Sequence, residues 1–212
     1  MYLVVGLGNP GPRYVATRHN AGFRVAQAVA YSCGIALSEG RYDGLFGHGT
    51  LAGHDLGVLL PQTFMNRSGE SVAAALERYT DVEISRHLVV VVDDLDLPFG
   101  RLRVRLGGSS GGHRGLESLI RELQSDAFAR VRFGVGRPEP DLDTTKYVLQ
   151  RFDAQEETQL PVAIERAARA VEAVVSDGAE SAMSRFNGPW PESPEPENGS
   201  GQGGFGENGD LN

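Results

Sequence analysis

Tyr2-Leu3-Val4-Val5-Gly6-Leu7-Gly8-Asn9-Pro10-Gly11-Pro12 opens the chain, and Arg13-Tyr14-Val15-Ala16-Thr17-Arg18-His19-Asn20 follows it. The apolar run Tyr2–Leu7 predicts a buried first strand. Phe23, Val25, Ala26, Val29 and Ala30 recur at helical spacing and predict a helix over Ala21–Ser32. Gly6-x-Gly8-x-x-Gly11 after a strand has the form of a dinucleotide-binding fingerprint. That motif needs a helix starting at its last glycines, so that free N–H groups and the helix dipole hold the pyrophosphate. Pro10 and Pro12 have no N–H and disfavour helical backbone in the residue before each. The motif also needs an acid about 20 residues on for the ribose, and the first acidic residue of the chain is Glu39. The glycines therefore shape a stiff loop that delivers Asn9, Tyr14 and His19 to one place.

Outward from this segment the pattern of alternating strands and helices continues. Strands are predicted at Asp55–Pro61, Leu88–Val92 and Val131–Val135, and helices at Ser71–Tyr79, Gly115–Leu123 and Asp153–Val175. Leu88–Val92 is apolar on both faces, as a central strand is. Asp153 with Glu156 is a helix start signal, and Pro161 predicts a kink or a late start. The fold class is α/β: a single domain with a twisted, mostly parallel or mixed central sheet flanked by helices. That domain spans residues 1–187. Residues 188–212, rich in Pro, Gly and acids, form a tail expected to be disordered.

With 212 residues, 40% hydrophobic and 23% charged, the chain is long enough to bury a core of its own. No apolar run reaches the roughly 20 residues of a membrane span, and no secretory apolar segment opens it. A cytoplasmic location is expected. The single cysteine, Cys33, excludes an internal disulfide and reads as a buried, inert thiol. Net charge is −8, but the segment from Pro189 to Asn212 holds five acids and no base, which leaves −3 for the rest. Between Arg101 and Arg151 ten basic residues stand against six acids. Within Arg101-Leu102-Arg103-Val104-Arg105-Leu106 strict alternation puts three arginines on one face. A basic stripe of this kind suits phosphate more than the net charge suggests.

Several constellations could carry chemistry. Gly107-Gly108-Ser109-Ser110-Gly111 matches a nucleophile elbow. The only histidine after it is His113, with no acid between, so a serine triad is disfavoured. Asp93-Asp94-x-Asp96 could bind Mg²⁺, could be a polar strand end before a turn, or could lend Asp93 alone to a histidine. Alternation puts Asp93 and Asp94 on opposite faces, against a shared cation. His48, His54 and His87 read as surface residues. His19 reads either as a residue at a helix start or as a general base held by a carboxylate. Asn9, Asn20 and Asn66 are turn residues or amides that polarise a carbonyl. A base with no Ser or Cys nucleophile implies direct attack by water.

Taken together these segments resemble the bacterial-type peptidyl-tRNA hydrolase family. The matching stretches are Val4–Gly11 with Tyr14, Thr17–Gly22, Pro61–Gly69, Asp93–Gly100, Gly111-Gly112-His113 and Arg132–Pro138, in family order over about residues 3–187. The resemblance implies a monomer without metal or cofactor that cleaves the ester between peptide and tRNA. It implies that His19 activates water, Asp93 orients His19, and Asn9 and Asn66 hold the ester and peptide backbone. Tyr14, Phe64 and Asn20 would contact the terminal nucleotide and peptide, with His113 at the pocket rim. Arg105 and Arg132 would clamp the 5′-phosphate of the tRNA. Arg114 stands where the family has asparagine, and it is expected to bind tRNA rather than to act in catalysis. A non-catalytic RNA-binding relative of the same fold is the alternative; keeping His19, Asp93, Asn9 and Asn66 together argues against it.

Overall fold

The structure, a computed structural model, describes residues 1–189. The chain runs from β1 (Tyr2–Gly6) through a 3₁₀ turn (Arg18–Asn20) into α1 (Ala21–Ser32). The strands β2 (Ser38–Arg41), β3 (Gly44–Leu51) and β4 (His54–Pro61) come next. A second 3₁₀ turn (Met65–Arg67) leads to α2 (Ser68–Arg78), α3 (Ile84–His87) and β5 (Leu88–Asp94). Then follow β6 (Leu102–Leu106), α4 (Arg114–Leu123) and β7 (Ala129–Gly134), and finally α5 (Thr144–Val148), α6 (Ala154–Asp177) and α7 (Ala179–Phe186).

All seven strands join one sheet in the order β2-β3-β4-β1-β5-β7-β6. The centre is parallel, β1 pairing with β4 and β5, and β5 with β7. The flanks are antiparallel, so the sheet is mixed. Alternation along the central strands feeds two cores. Val4, Val89, Val91 and Val131 meet α1 and α6 through Val25, Val29, Leu160 and Val171. Leu3, Val5, Val90 and Val92 meet α2 and α4 through Val72, Ala75, Leu116 and Leu119. Both faces of β1 and β5 are thus covered, which explains why their sequences are apolar throughout.

The glycines of the opening loop act in packing. The backbone N–H of Phe23 donates to the Leu7 carbonyl at 3.2 Å, and Leu7 N–H donates to Val91 at 3.0 Å. A Cβ on Gly22 would lie 2.5 Å from the carbonyl oxygens of both Leu7 and Val91, so only glycine lets α1 rest on β1 and β5. A Cβ on Gly8 would meet the Phe23 ring at 2.6 Å. The helix begins at Ala21, not at Gly11, so no helix N-terminus stands at the last glycine of the fingerprint.

Several boundaries differ from expectation. The β2–β3 hairpin and α7 carry no strong periodic signal and do not follow from the pattern. Helix α2 starts at Ser68, before the expected Ser71. Helix α6 starts on an Asp153–Glu156 capping box and runs through Pro161 as one element, so the late start is absent. Cys33 is half-buried at the end of α1 rather than fully buried, and burial pushes its thiol pKa up. The acidic tail expected from Gly188 lies, beyond residue 189, outside the described residues. No helix among the described residues is long and apolar enough to cross a membrane.

Candidate active site

The carboxyl ends of β1 and β5 lie side by side, where parallel sheets place ligands. His19 sits in the 3₁₀ turn before α1, and the side chain of Arg18 anchors that turn from behind. Arg18 is 5% exposed. It donates to the Arg151 carbonyl, ion-pairs with Glu156, and lies over the rings of Tyr147 and Phe152 at 4.5 and 5.3 Å. Glu156 also accepts the Asp153 N–H at 2.8 Å, so the base of α6 and the histidine turn share one carboxylate.

His19 Nδ1 lies 3.0 Å from both oxygens of Asp93 at the end of β5. His113, at the start of α4, places Nε2 3.0 Å from Asp93 Oδ1. Burial by itself lowers the His19 pKa, but the charge and hydrogen bond of Asp93 outweigh it and raise the value, with Arg114 opposing. Burial likewise works to raise Asp93, yet His19 and His113 hold its carboxyl well below the usual carboxylate range. With Nδ1 donating to a carboxylate, the Nε2 lone pair of His19 is left to accept a proton.

Asn9 is buried in the loop after β1. Its Oδ1 accepts the Met65 backbone N–H at 2.9 Å, which fixes the amide orientation and leaves Nδ2 as a donor with no partner among the described residues. The Asn9 N–H donates to Asn20 Oδ1 at 2.8 Å, and Asn20 Nδ2 donates to the Asn9 carbonyl at 2.9 Å. Asn20 is therefore corrected from a substrate contact to a buried brace of Asn9, because both ends of its amide are taken. Asn66 is exposed on the second 3₁₀ turn, one residue from Met65, and Phe64 is 57% exposed beside it. Tyr14 is half-buried; its hydroxyl accepts from Arg13 and its carbonyl accepts the Thr17 hydroxyl at 2.8 Å. No contact joins Tyr14 or Asn66 to His19 among the described residues.

His19, Asp93, His113, Arg114, Arg132 and Thr144 help line a cleft of about 370 Å³. Larger grooves of about 620 and 600 Å³ lie against α6 with α7 and against α4, and neither is lined by a histidine. The three acids at the end of β5 do not gather on a cation. Asp94 accepts the Asp96 N–H at 2.9 Å and pairs with Arg132 Nε at 2.7 Å, while Asp96 pairs with Arg137. Burial raises the Asp94 pKa in spite of Arg132. The donor set that could gather on a metal is instead His19, Asp93 and His113, whose ligand atoms lie within 4.8 Å of one another. No hydrogen bond joins the Ser109 or Ser110 hydroxyl to a histidine ring among the described residues; the Ser110 hydroxyl faces Glu117 at 3.4 Å and accepts the Gly112 N–H at 3.2 Å.

The arginine stripe is only partly as expected. Register sets Arg103 opposite Arg132 and Arg105 opposite Arg130. Arg130 is buried against the Phe128 ring, and it donates to the carbonyls of Gly108, Ser109 and Asp126, tying down the glycine loop that precedes His113. Arg103, Arg105 and Arg132 remain at the surface. Arg18 and Arg130 are the positioning residues that sequence reading missed.

A family model described as Peptidyl-tRNA hydrolase matches residues 3–195. A peptidyl-tRNA hydrolase of Syntrophotalea carbinolica is 48% identical over 188 residues, 88% of this chain and 97% of the relative. One of Chloroflexus aggregans is 44% identical over 187 residues, 88% of this chain and 99% of the relative. The crystal structure of the Acinetobacter baumannii peptidyl-tRNA hydrolase is 36% identical and superposes with a TM-score of 0.82 over 88% of this chain and 94% of that one. The His19–Asp93 pair, joining the turn before α1 to the end of β5, thus sits in a chain that belongs to the peptidyl-tRNA hydrolase family.

Proposed function

We propose that residues 1–187 form the catalytic unit of a peptidyl-tRNA hydrolase in which His19 is the general base and Asp93 its orienter. The family reaction is hydrolysis of the ester between a peptide and tRNA. The observation that carries the residue roles is His19 Nδ1 held 3.0 Å from both oxygens of Asp93 while Nε2 stays uncommitted. Nε2 takes a proton from water as the water oxygen bonds to the ester carbonyl carbon. Asn9 Nδ2 donates to the tetrahedral oxyanion, with the Asn66 amide as a second contact to the peptide backbone. When the intermediate collapses, the carbon–oxygen bond to the terminal ribose breaks and the His19 imidazolium returns its proton to the leaving oxygen. Asp93 remains ionised throughout.

Phe64 and Tyr14 offer rings for the terminal nucleotide and peptide. Arg105 and Arg132 suit the 5′-phosphate, because guanidinium forks match phosphate oxygens and the two stand diagonally across β6 and β7, Arg132 with Asp94 behind it. Arg114, exposed on the cleft wall, suits a backbone phosphate of the acceptor end. The protein acts as a monomer. Purified protein incubated with N-acetyl-aminoacyl-tRNA is expected to release N-acetyl-amino acid and intact tRNA, at the same rate before and after treatment with a chelator. Absence of release overturns the reading, and loss of release on chelation overturns its metal-free chemistry.

A further inference from the structure

His113 occupies the N-cap position of α4, and its Nδ1 accepts the backbone N–H groups of Gly115 at 3.1 Å and Leu116 at 3.3 Å. A backbone N–H can only donate, so Nδ1 carries a lone pair and the ring proton sits on Nε2. That Nε2–H points at Asp93 Oδ1. The assignment follows from donors whose role is fixed, unlike a contact between two side chains that could each donate.

We infer that His113 is a positioning residue: the start of α4 locks it as the neutral Nε2–H tautomer, so that it braces Asp93 as a permanent acceptor for His19 and cannot compete as the base. This rests on the reading of His19 and Asp93 as base and orienter. The usual N-cap residues are Ser, Thr, Asp and Asn, which satisfy the helix but reach no further. A histidine caps with one ring nitrogen and donates with the other, and so links the helix start rigidly to the carboxylate.

A second proton on His113 would break both cap bonds and set a cation at the positive end of the α4 dipole. The charged and titratable groups facing this ring are Asp93, His19, whose ring centroid is 5.1 Å away, and Arg114, with Glu117 a turn further along α4. His19 in turn faces Asp93, His113 and Arg114. Asp93 is shared with His19, whose own Nδ1 makes no cap bond. The same lock bears on metal binding. A metal ion needs the Nε2 lone pair of His113, which is available only if the ring gives up its proton or both cap bonds. The trio is a hydrogen-bonded chain with fixed direction rather than an open ligand set.

Long-range ¹H–¹⁵N NMR of the histidine rings in the whole protein reads the tautomer directly, with a His113→Asn variant giving the assignment. His113 is expected to carry its proton on Nε2, with Nδ1 bare. An Nδ1–H tautomer overturns the inference. His113→Asn keeps a good N-cap acceptor but is too short to reach Asp93 as well. Asp93 then loses one donor and pulls harder on His19, so the acid limb of kcat/KM on N-acetyl-aminoacyl-tRNA is expected to move up by about half a pH unit. A limb that stays or moves down contradicts the brace. The tautomer measurement needs no turnover, so it fails or succeeds independently of the catalytic roles, which His19→Ala tests.

Discussion

At the scale of single residues, the site is built by backbone groups whose hydrogen-bonding role is fixed. The Met65 N–H turns the Asn9 amide so that Nδ2 is its remaining donor, and the N–H groups of Gly115 and Leu116 turn the His113 ring. Asn9→Asp keeps the acceptor for Met65 and removes that donor. A kcat lower by about 10²–10³ is expected, the usual loss for one oxyanion donor, with thermal unfolding measured alongside to separate folding from chemistry. Turnover equal to that of the unaltered protein would remove Asn9 from the oxyanion site. The meeting of His19 with Asp93 was legible in the sequence, because motif order and strand-end placement point to it. Asn20 was misread, since a sequence does not reveal that both ends of an amide will be taken by one neighbour's backbone. Arg18 gave no local signal at all, because its carboxylate partner, Glu156, is 138 positions away.

At the scale of elements, the close approach of α1 to β1 and β5 sets where His19 lies relative to Asp93. The sequence marked strands, helices and the α6 cap well, since each follows a local period or a short-range hydrogen bond. It did not mark the β2–β3 hairpin, whose Gly-rich strands lack clean alternation, or the exact start of α2. The packing role of the glycine fingerprint appears only when α1 is seated on the sheet. Gly22→Ala places a methyl group 2.5 Å from two carbonyl oxygens, so α1 must lift. Overpacking of this kind costs about 1–3 kcal/mol, which corresponds to a fall in Tm on the order of 5 °C. A fall in kcat is expected with it, because the histidine turn leads directly into α1. An unchanged Tm and kcat would show that the helix position is not set by this contact.

At the scale of the whole molecule, one edge of the sheet is basic although the chain is acidic. Arg103 and Arg105 on the edge strand β6 stand opposite Arg132 and Arg130 on β7. With Arg130 committed to the glycine loop and Arg132 paired with Asp94, Arg103 and Arg105 stand on this edge as surface cations. Arg105→Ala is expected to weaken binding of 5′-phosphorylated tRNA and to reduce the slope of log affinity against log salt by about one. The same slope in the variant would place the phosphate elsewhere. The central proposal is that a neutral His19 removes a proton from water. Its pKa is raised, so the base form fills and turnover climbs only as pH rises through a value above the ordinary 6.5. The most direct measurement is the pH profile of N-acetyl-aminoacyl-tRNA hydrolysis for the unaltered protein and His19→Ala. Expected are an acid limb above pH 6.5 in the former, and in the latter a kcat lower by about 10²–10⁴ with that limb gone. Equal turnover by the two proteins, or the same limb in both, would contradict the role of His19 as the base.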